Sequence, residues 1–340
     1  MSDARATRAP LRALLGWLFA LACLVWIFHD LKPSDLWRSL HGLRWWWIVP
    51  AVAADILSYC CQGARWSLLL RPLGRVSPLR ATRAIYAGLF VNELLPLRAG
   101  EVVRSYLVSR WTGAAIARVV PSIAVERLFD GFWLSIAFAV AAISVPLPRE
   151  LARAADATGA LVLVGAALLA FVALRRPRAD TAAGAGGAAA APAAAVGRAG
   201  RLRRLAGRFL HELRAMARAP GFFAAALVST GVLVGQALAF WLVMVACGMP
   251  LSIWAGAITL MIVHLGTALP NAPGNVGSYQ FFCIVGLALF GIGKAEATAF
   301  SLVVFVLLTV PLWALGFFAL RGSGLSLGRV RREAGGWVRR

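Results

Sequence analysis

Acidic residues and lysine are scarce in this chain. Of 340 residues, 14 are acidic and 35 are basic, and only Lys32 and Lys294 are lysines, so arginine carries the net charge of +21. Charged residues make up 14% of the sequence and apolar residues 60%, which argues against a water-soluble globule. A nucleic-acid-binding protein could carry this charge, but it would not contain several apolar runs of membrane-spanning length.

Motifs of the common enzyme and metal-binding classes are also missing. The five cysteines are an odd number, lie in or beside apolar runs and match no zinc-site spacing, so they are interpreted as small packing residues. The four histidines are scattered, and the sequence contains neither a glycine-rich nucleotide loop nor a nucleophile elbow. We therefore expect no metal, no cofactor and no catalytic residues.

The sequence does contain a series of long apolar runs. Six of them approach or exceed the roughly 20 residues that a helix needs to cross the bilayer core. Their ranges are 11–28, 45–62, 119–145, 157–174, 221–247 and 297–320. The first run could also be a signal peptide, but apolar residues continue past Cys23, which favours an uncleaved span. The sequence thus predicts an all-α, polytopic integral membrane protein with six full spans.

Two further apolar stretches are interrupted at matching places in the two halves. Each stops at a Leu-Pro pair and restarts after a glycine, and the stretch 84–95 would extend only about 18 Å as a helix. Opposed broken helices are typical of inverted-repeat transporters, which predicts re-entrant hairpins near 84–112 and 253–290. Two short full spans over 253–290, giving eight spans, are the alternative. The residues at the breaks are Pro96, Gly100, Pro270 and Pro273.

Arginine is distributed unevenly between the loops, which predicts the orientation. With each interrupted pair treated as a hairpin, the segments on one side carry 24 basic residues and those on the other carry six; the richer segments are 1–12, 65–83, 175–218 and 321–340. We expect the richer side, with both termini, to be cytoplasmic and to contact anionic lipid headgroups. The predicted organisation is a single transmembrane domain over 1–340, with halves 1–174 and 221–320, a basic Ala/Gly-rich linker at 175–220 and a basic tail at 321–340.

Charged and polar side chains concentrate around the first break. They are Asn92, Glu93, Arg98, Glu101, Arg104, Glu126, Arg127 and Asp130. The spacings Glu101–Arg104 and Glu126–Asp130 place each pair on one helix face. Ionised groups inside a bilayer are costly unless they pair or meet a polar ligand, which predicts a charge network between the hairpin and the following span. This network could bind a ligand, or it could only brace the hairpin.

The residue types favour an anionic ligand. Arginine keeps its proton and presents a fork of donors that suits phosphate, and a helix restarting after Gly100 would present free N–H groups. The second break offers glycines that allow close backbone approach and amides that form hydrogen bonds. The residues predicted there are Asn271, Gly274, Asn275, Gly277 and Gln280.

Three stretches carry a family resemblance: NELLPLRAGEVVR at 92–104, ERLFDG at 126–131 and PNAPGNVG at 270–277. Together they resemble the lysylphosphatidylglycerol synthase transmembrane (flippase-like) family, over nearly the whole chain. The resemblance implies a bacterial inner-membrane protein that acts on lipids; in two-part members this region flips an aminoacylated phospholipid that a soluble C-terminal domain makes. Because 20 residues follow Leu320, we expect no synthase domain here. Many members carry Glu near the position of Gln280, so this chain lacks an acidic contact for a cationic aminoacyl group.

The sequence therefore predicts a flippase or transporter for an anionic or phosphate-bearing lipid, and not an enzyme. One alternative is a non-catalytic membrane partner of a glycosyltransferase or lipid-synthesis enzyme. Another is a membrane-embedded lipid-phosphate transferase with Glu101 or Asp130 as base. The expected partners are the lipid substrate and, under the first alternative, a lipid-synthesis enzyme; no nucleic acid is expected.

The arginine distribution leads to a topology test. In a cysteine-free background, Ala190→Cys and Gly335→Cys should both resist an impermeant thiol reagent in intact cells, because both segments would be cytoplasmic. Labelling after permeabilisation is the control for reactivity. Labelling of either cysteine from outside would reverse the orientation.

Overall fold

The structure, a computed structural model, describes residues 8–29, 31–94, 99–144, 149–174, 198–267 and 272–325, and most of these residues are helical. These ranges contain no strand, so the predicted all-α class is confirmed for them. In chain order the helices are α1 (Arg8–Phe28), α2 (Pro33–His41), α3 (Ile48–Leu69), α4 (Pro78–Leu94), α5 (Ala99–Thr112), α6 (Ile116–Ser144), α7 (Arg149–Leu174), α8 (Arg198–Ala217), α9 (Gly221–Ala246), α10 (Ile253–Thr267), α11 (Ser278–Ala288) and α12 (Lys294–Gly322). Two 3-10 turns cover Trp45–Trp47 and Pro273–Asn275.

Two of the described helices, α9 and α12, are both long and apolar enough to cross a membrane. Shorter apolar segments are Leu15–Phe28, Asp156–Phe171, Ile253–Thr267 and Ser278–Ala288. Helices α3 and α6 have 22 and 29 residues, which is long enough to span, but both carry charged side chains in their interiors. Those charges reduce the apolar character of the two helices.

The most extensive helix–helix contact joins α3 of the first half to α9 of the second half. Small residues allow the close approach: a Cβ atom on Gly235 would lie 3.0 Å from the Ser58 Cβ and 3.1 Å from the Ala54 carbonyl oxygen. The Ser58 hydroxyl donates to the Val232 carbonyl at 3.2 Å. Small residues at the contact and an interhelical hydrogen bond are what hold membrane helices together in the absence of a hydrophobic force between them.

The two predicted hairpins are antiparallel helix pairs of similar construction. In α4–α5, the end of one helix packs against the start of the next, and a Cβ on Gly100 would lie 1.8 Å from the Gly88 carbonyl oxygen. In α10–α11, close contacts join Gly266 to Phe282 and Gly286 to Thr259. Helix α4 also packs against α3 and α12, so the first pair lies inside the bundle.

The structure corrects two boundaries around the first hairpin. Helix α4 begins at Pro78 and not near residue 84, so Arg80 and Arg83 are helical. Helix α3 continues to Leu69, so the basic loop expected at 65–83 is confined to residues 70–77 and Arg65 lies within the helix. The apolar residues that follow Arg65 explain the extension, because they let α3 continue packing against α9.

The α4–α5 contact predicts that alanine substitution lowers stability at one glycine and not at another. Gly100→Ala would drive its methyl group into the Gly88 backbone, and overpacking of this kind costs about 1–3 kcal/mol. Gly159→Ala, within α7, meets nothing within 4 Å and should be neutral or slightly stabilising, since alanine favours helix. Thermal unfolding in detergent measures both. An equal Tm for the two variants would show that the α4–α5 contact is looser than described.

Candidate functional site

Six charged side chains form a closed ring in which arginines and carboxylates alternate; we call it the ion-pair ring. Its members, in order, are Arg65, Glu126, Arg104, Glu101, Arg127 and Asp130. The N···O distances between neighbours are 3.1 Å for Arg65–Glu126, 3.0 Å for Arg104–Glu126, 2.5 Å for Arg104–Glu101, 2.5 Å for Arg127–Glu101 and 3.5 Å for Arg127–Asp130, and Arg65 contacts Asp130 to close the ring. Three positive and three negative charges cancel, so the ring is neutral as a whole.

Three helices contribute to the ion-pair ring. Helix α3 supplies Arg65, α5 supplies the pair Glu101–Arg104, and α6 supplies Glu126, Arg127 and Asp130. The spacings of three and four residues place these side chains on facing sides of α5 and α6, as expected from the sequence. Arg65 binds both Glu126 and Asp130, one turn apart on α6. The ring therefore fastens the first hairpin to two longer helices.

The ion-pair ring has a buried side and an open side. Arg65 and Glu126 are 1% and 2% exposed, whereas the side chains of Asp130 and Arg127 are 35% and 52% exposed. Arg104 is buried and its guanidinium lies 4.9 Å from the centre of the Trp66 ring, a cation–π contact that is stronger when desolvated. Only the open side offers a charge that a ligand can reach.

The buried side is not saturated with hydrogen bonds. Among the described residues, the Nε atoms of Arg65 and Arg104 have no hydrogen-bond acceptor although both are buried. The Arg65 Nη1 also donates to Ser229 of α9 at 3.4 Å. These arginines are thus held mainly by charge pairing, which makes the ring sensitive to the loss of any one member.

At the first break, the side chain of Asn92 links the two helices of the hairpin. Its Oδ1 accepts a hydrogen bond from the Gly100 N–H at 2.7 Å, across the gap between α4 and α5. Asn92 therefore caps the Gly100 N–H, one of the backbone donors at the start of α5. Glu93, the next residue, lies near Trp313 of α12. Pro96 and Arg98, both predicted for this site, lie outside the described residues.

The second break is built on residues with positive φ. Gly274 has φ 73°, Asn275 has φ 52° and Gly277 has φ 85°, a region that glycine adopts readily. Gln280 is buried, and its Oε1 accepts from the Gly277 N–H at 2.7 Å, so the side chain caps α11. Pro273 begins the 3-10 turn, while Pro270 and Asn271 lie outside the described residues.

The two breaks lie next to each other. A Cβ on Gly274 would be 3.4 Å from the Glu93 carboxylate, and α4 packs against the turn Pro273–Asn275. The residues predicted from the sequence therefore fall into two groups. One group forms the ion-pair ring, and the other lies at this junction of breaks, where Glu93 of α4 meets Gly274 of the turn.

Arg65 is the functional residue that the sequence pattern did not single out. It was assigned to the basic loop because the apolar run ends at Gln62. The signal that it lies in a helix is the continuation of apolar residues after it, with Trp66 buried and Leu69 and Leu70 in the core. His264 of α10 was likewise not singled out, and it lies within electrostatic range of Arg127 and Asp130 on the open side.

Metal and nucleophile chemistry find no support in this arrangement. The described ranges contain no group of three histidine, cysteine, aspartate or glutamate side chains able to hold a metal ion. The two carboxylates considered as bases, Glu101 and Asp130, are each paired with arginine. The arrangement is instead suited to electrostatic binding of an anion at the exposed Arg127.

The ion-pair ring predicts a large cost for removing Arg65. Arg65→Met leaves a buried site with a net negative charge, and removing one partner of a buried pair costs about 3–5 kcal/mol. The control is Arg110→Met, whose side chain is exposed and contacts only the Ser323 carbonyl at 3.4 Å; it should change stability by about 0.5 kcal/mol or less. Unfolding in detergent measures both, and equal stability of the variants would contradict the pairing.

Comparisons with known proteins place the chain in a family. The sequence profile of the lysylphosphatidylglycerol synthase TM region matches residues 13–316. A UPF0104 membrane protein of Methanothermobacter thermautotrophicus is 21% identical over 320 residues, which is 91% of this chain and 94% of that protein. Glycosyltransferase AglD of Haloferax volcanii is 29% identical over 116 residues, which is 34% of this chain and 19% of that protein. The chain is therefore a membrane protein of the lysylphosphatidylglycerol synthase TM region family.

Proposed function

We propose that this protein is a flippase or transporter that moves an anionic, phosphate-bearing lipid across the membrane. The observation that carries the proposal is the ion-pair ring: a buried, neutral set of three arginines and three carboxylates with one guanidinium exposed on its open side. Charged groups inside a membrane protein are costly and mark substrate pathways. A purely structural brace would not need a half-exposed arginine.

The proposed membrane arrangement follows from helix length. Helices α10 and α11 have 15 and 11 residues, and α5 has 14, so at 1.5 Å per residue each is shorter than the bilayer core of about 30 Å. We infer that α4–α5 and α10–α11 are re-entrant hairpins entering from opposite sides, with six full spans around them. Their meeting at the junction of breaks supports this, since inverted-repeat transporters bind substrate where broken helices meet.

The orientation and location belong to the same proposal. The arginine-rich segments face the cytoplasm together with both termini. We propose the bacterial inner membrane as the location. Helix α8, which carries the basic residues after the linker, packs against α6 and α7, and its Glu212 pairs with Arg118 at 2.5 Å.

Anion binding would occur by exchange on the open side of the ring. Arg127 contacts both Glu101 and Asp130, and a phosphate could replace either carboxylate, since guanidinium binds phosphate through the same fork of donors. The released carboxylate keeps another arginine as partner, Arg104 for Glu101 or Arg65 for Asp130. No charge in the ring is then left alone during the exchange.

A second candidate function is a membrane partner of a lipid-linked glycosyltransferase. The observation in its favour is the 116-residue match to a protein named a glycosyltransferase. Under this alternative the ion-pair ring would brace the hairpin, and a partner enzyme would carry the chemistry. A third reading, in which Glu101 or Asp130 acts as a base, is disfavoured because both carboxylates are paired.

Transport by the purified protein separates these functions. In vesicles containing the protein, we expect fluorescent NBD-phosphatidylglycerol to become accessible to dithionite faster than in protein-free vesicles. It should also become accessible faster than NBD-phosphatidylcholine in the same vesicles, because Arg127 favours the anionic headgroup. A third arm with a fluorescent polyprenyl phosphate tests a lipid with a terminal phosphate. Equal rates with and without protein for all three lipids would overturn the proposal.

A double variant distinguishes lipid contact from bracing. Glu101→Gln with Arg127→Met removes the exposed guanidinium and leaves Arg65, Glu126, Arg104 and Asp130, which remain neutral and paired. We therefore expect near-normal thermal stability. Transport should fall about tenfold or more, since a charge-assisted hydrogen bond contributes about 1.5–3 kcal/mol.

The matched control removes an ion pair elsewhere. Arg118→Met with Glu212→Gln deletes a pair at 2.5 Å on α6 and α8, away from the ring, and should leave transport unchanged. A stable, fully active Glu101/Arg127 double variant would rule out phosphate contact at the ring. An unstable one would favour the bracing role.

A further inference from the structure

A second ionisable group lies inside the membrane region, away from the ion-pair ring. Asp55, in the interior of α3, is 4% exposed. Among the described residues it has neither a salt bridge nor a hydrogen bond, in contrast to Glu126, which is similarly buried and pairs with two arginines. Arg65 is ten residues further along the same helix, about 15 Å away, and its contacts are with Glu126 and Asp130.

Three tyrosines lie around Asp55, and Glu93 lies near two of them, Tyr59 and Tyr279; we call these five residues the acidic-tyrosine cluster. Tyr59 follows Asp55 by one turn, and its ring centre lies 5.2 Å from that of Tyr86 on α4. Tyr279 of α11 lies within electrostatic range of Asp55, Tyr59 and Glu93. The hydroxyl of Tyr86 is buried and has no hydrogen-bond partner among the described residues. The cluster thus joins α3, α4 and α11 from both halves of the chain.

No described basic side chain faces this cluster from the helices that pack on α3. Helix α9, its main neighbour, contains no ionisable residue, and neither does the turn Trp45–Trp47. Helix α4 contributes only Tyr86 and Glu93 here, since its arginines lie at its start. Helix α12 has ionisable residues only in its first and last turns, and the charges of α6 that approach α3 belong to the ion-pair ring.

An ionised carboxylate without a partner is strongly disfavoured at such a position. Burying a charge without compensation costs far more than burying a neutral group, and the usual outcome is neutralisation by a proton. A metal cation would need several oxygen ligands, and the described residues hold no group of three metal-binding side chains. A proton is therefore the cation that this site can take.

We propose that Asp55 is a proton-binding carboxyl whose proton exchange is coupled to lipid movement. In the conformation described, the carboxyl is protonated and neutral. When the junction of breaks opens, water reaches the cluster past Glu93; Asp55 then releases its proton to water and, when exposed to the other side, takes one back. The position of Glu93 supports this route, because its side chain belongs to the cluster and also lies beside Gly274 at the junction. The coupling rests on the proposed transport function; the proton site does not.

Chemical labelling tests the proton site independently of transport. Dicyclohexylcarbodiimide reacts with protonated carboxyl groups in apolar surroundings, and mass spectrometry of the purified protein in lipid locates the adduct. At neutral pH we expect the adduct at Asp55 and not at Glu126, which is equally buried but held as a carboxylate by Arg65 and Arg104. Asp55→Asn should abolish the adduct on that peptide. An unmodified Asp55 in the wild-type protein would overturn the proton site.

A pH gradient tests the coupling. In vesicles containing NBD-phosphatidylglycerol, a one-unit gradient should change the wild-type rate by up to about tenfold if one proton moves per cycle. Asp55→Asn, checked for normal thermal stability, should give the same rate with and without the gradient, and Asp55→Glu should restore the response. A wild-type transport rate that is unchanged by the gradient would overturn the coupling but not the transport function. Absence of any transport would overturn both, while the labelling result would still decide the proton site.

Discussion

The structure depends on the pairing of charged side chains, several of which are buried away from solvent. Three arginines and three carboxylates are tolerable inside a membrane protein only if each has an opposite charge within contact distance, and the ion-pair ring provides two such contacts for every member. Because its members come from α3, α5 and α6, satisfying the charges also fixes how these helices pack. The requirement that every charge be paired therefore also determines the packing of these three helices.

The two halves each contain a broken helix pair, but different residue types surround the two breaks. Both contain a short helix pair with a break, and the two breaks meet where Glu93 lies beside Gly274. The first half surrounds its break with charge, whereas the second uses positive-φ backbone and the buried cap Gln280. An approximate symmetry of shape is thus combined with an asymmetry of charge.

Sequence reasoning succeeded where the information is local. The all-α class, the helix pairs on either side of Leu-Pro, and the shared faces of Glu101–Arg104 and Glu126–Asp130 follow from composition and spacing. Closure of the ring could not be predicted, because it requires Arg65 from a helix 61 residues before Glu126, and no periodicity links the two. The capping roles of Asn92 and Gln280 were missed for a related reason: an amide suits a ligand or a backbone N–H equally well, and only the fold decides.

The hydrogen bond between Asn92 and Gly100 also bears on which insertions the family can tolerate. It joins the end of α4 to the start of α5 at 2.7 Å, so residues added between Leu94 and Ala99 would leave this contact in place. One residue added between Gly100 and Arg104 would instead turn the Arg104 side chain by about 100° around the helix axis, away from Glu126. Length variation among relatives should accordingly be more frequent between Leu94 and Ala99 than between Gly100 and Arg104.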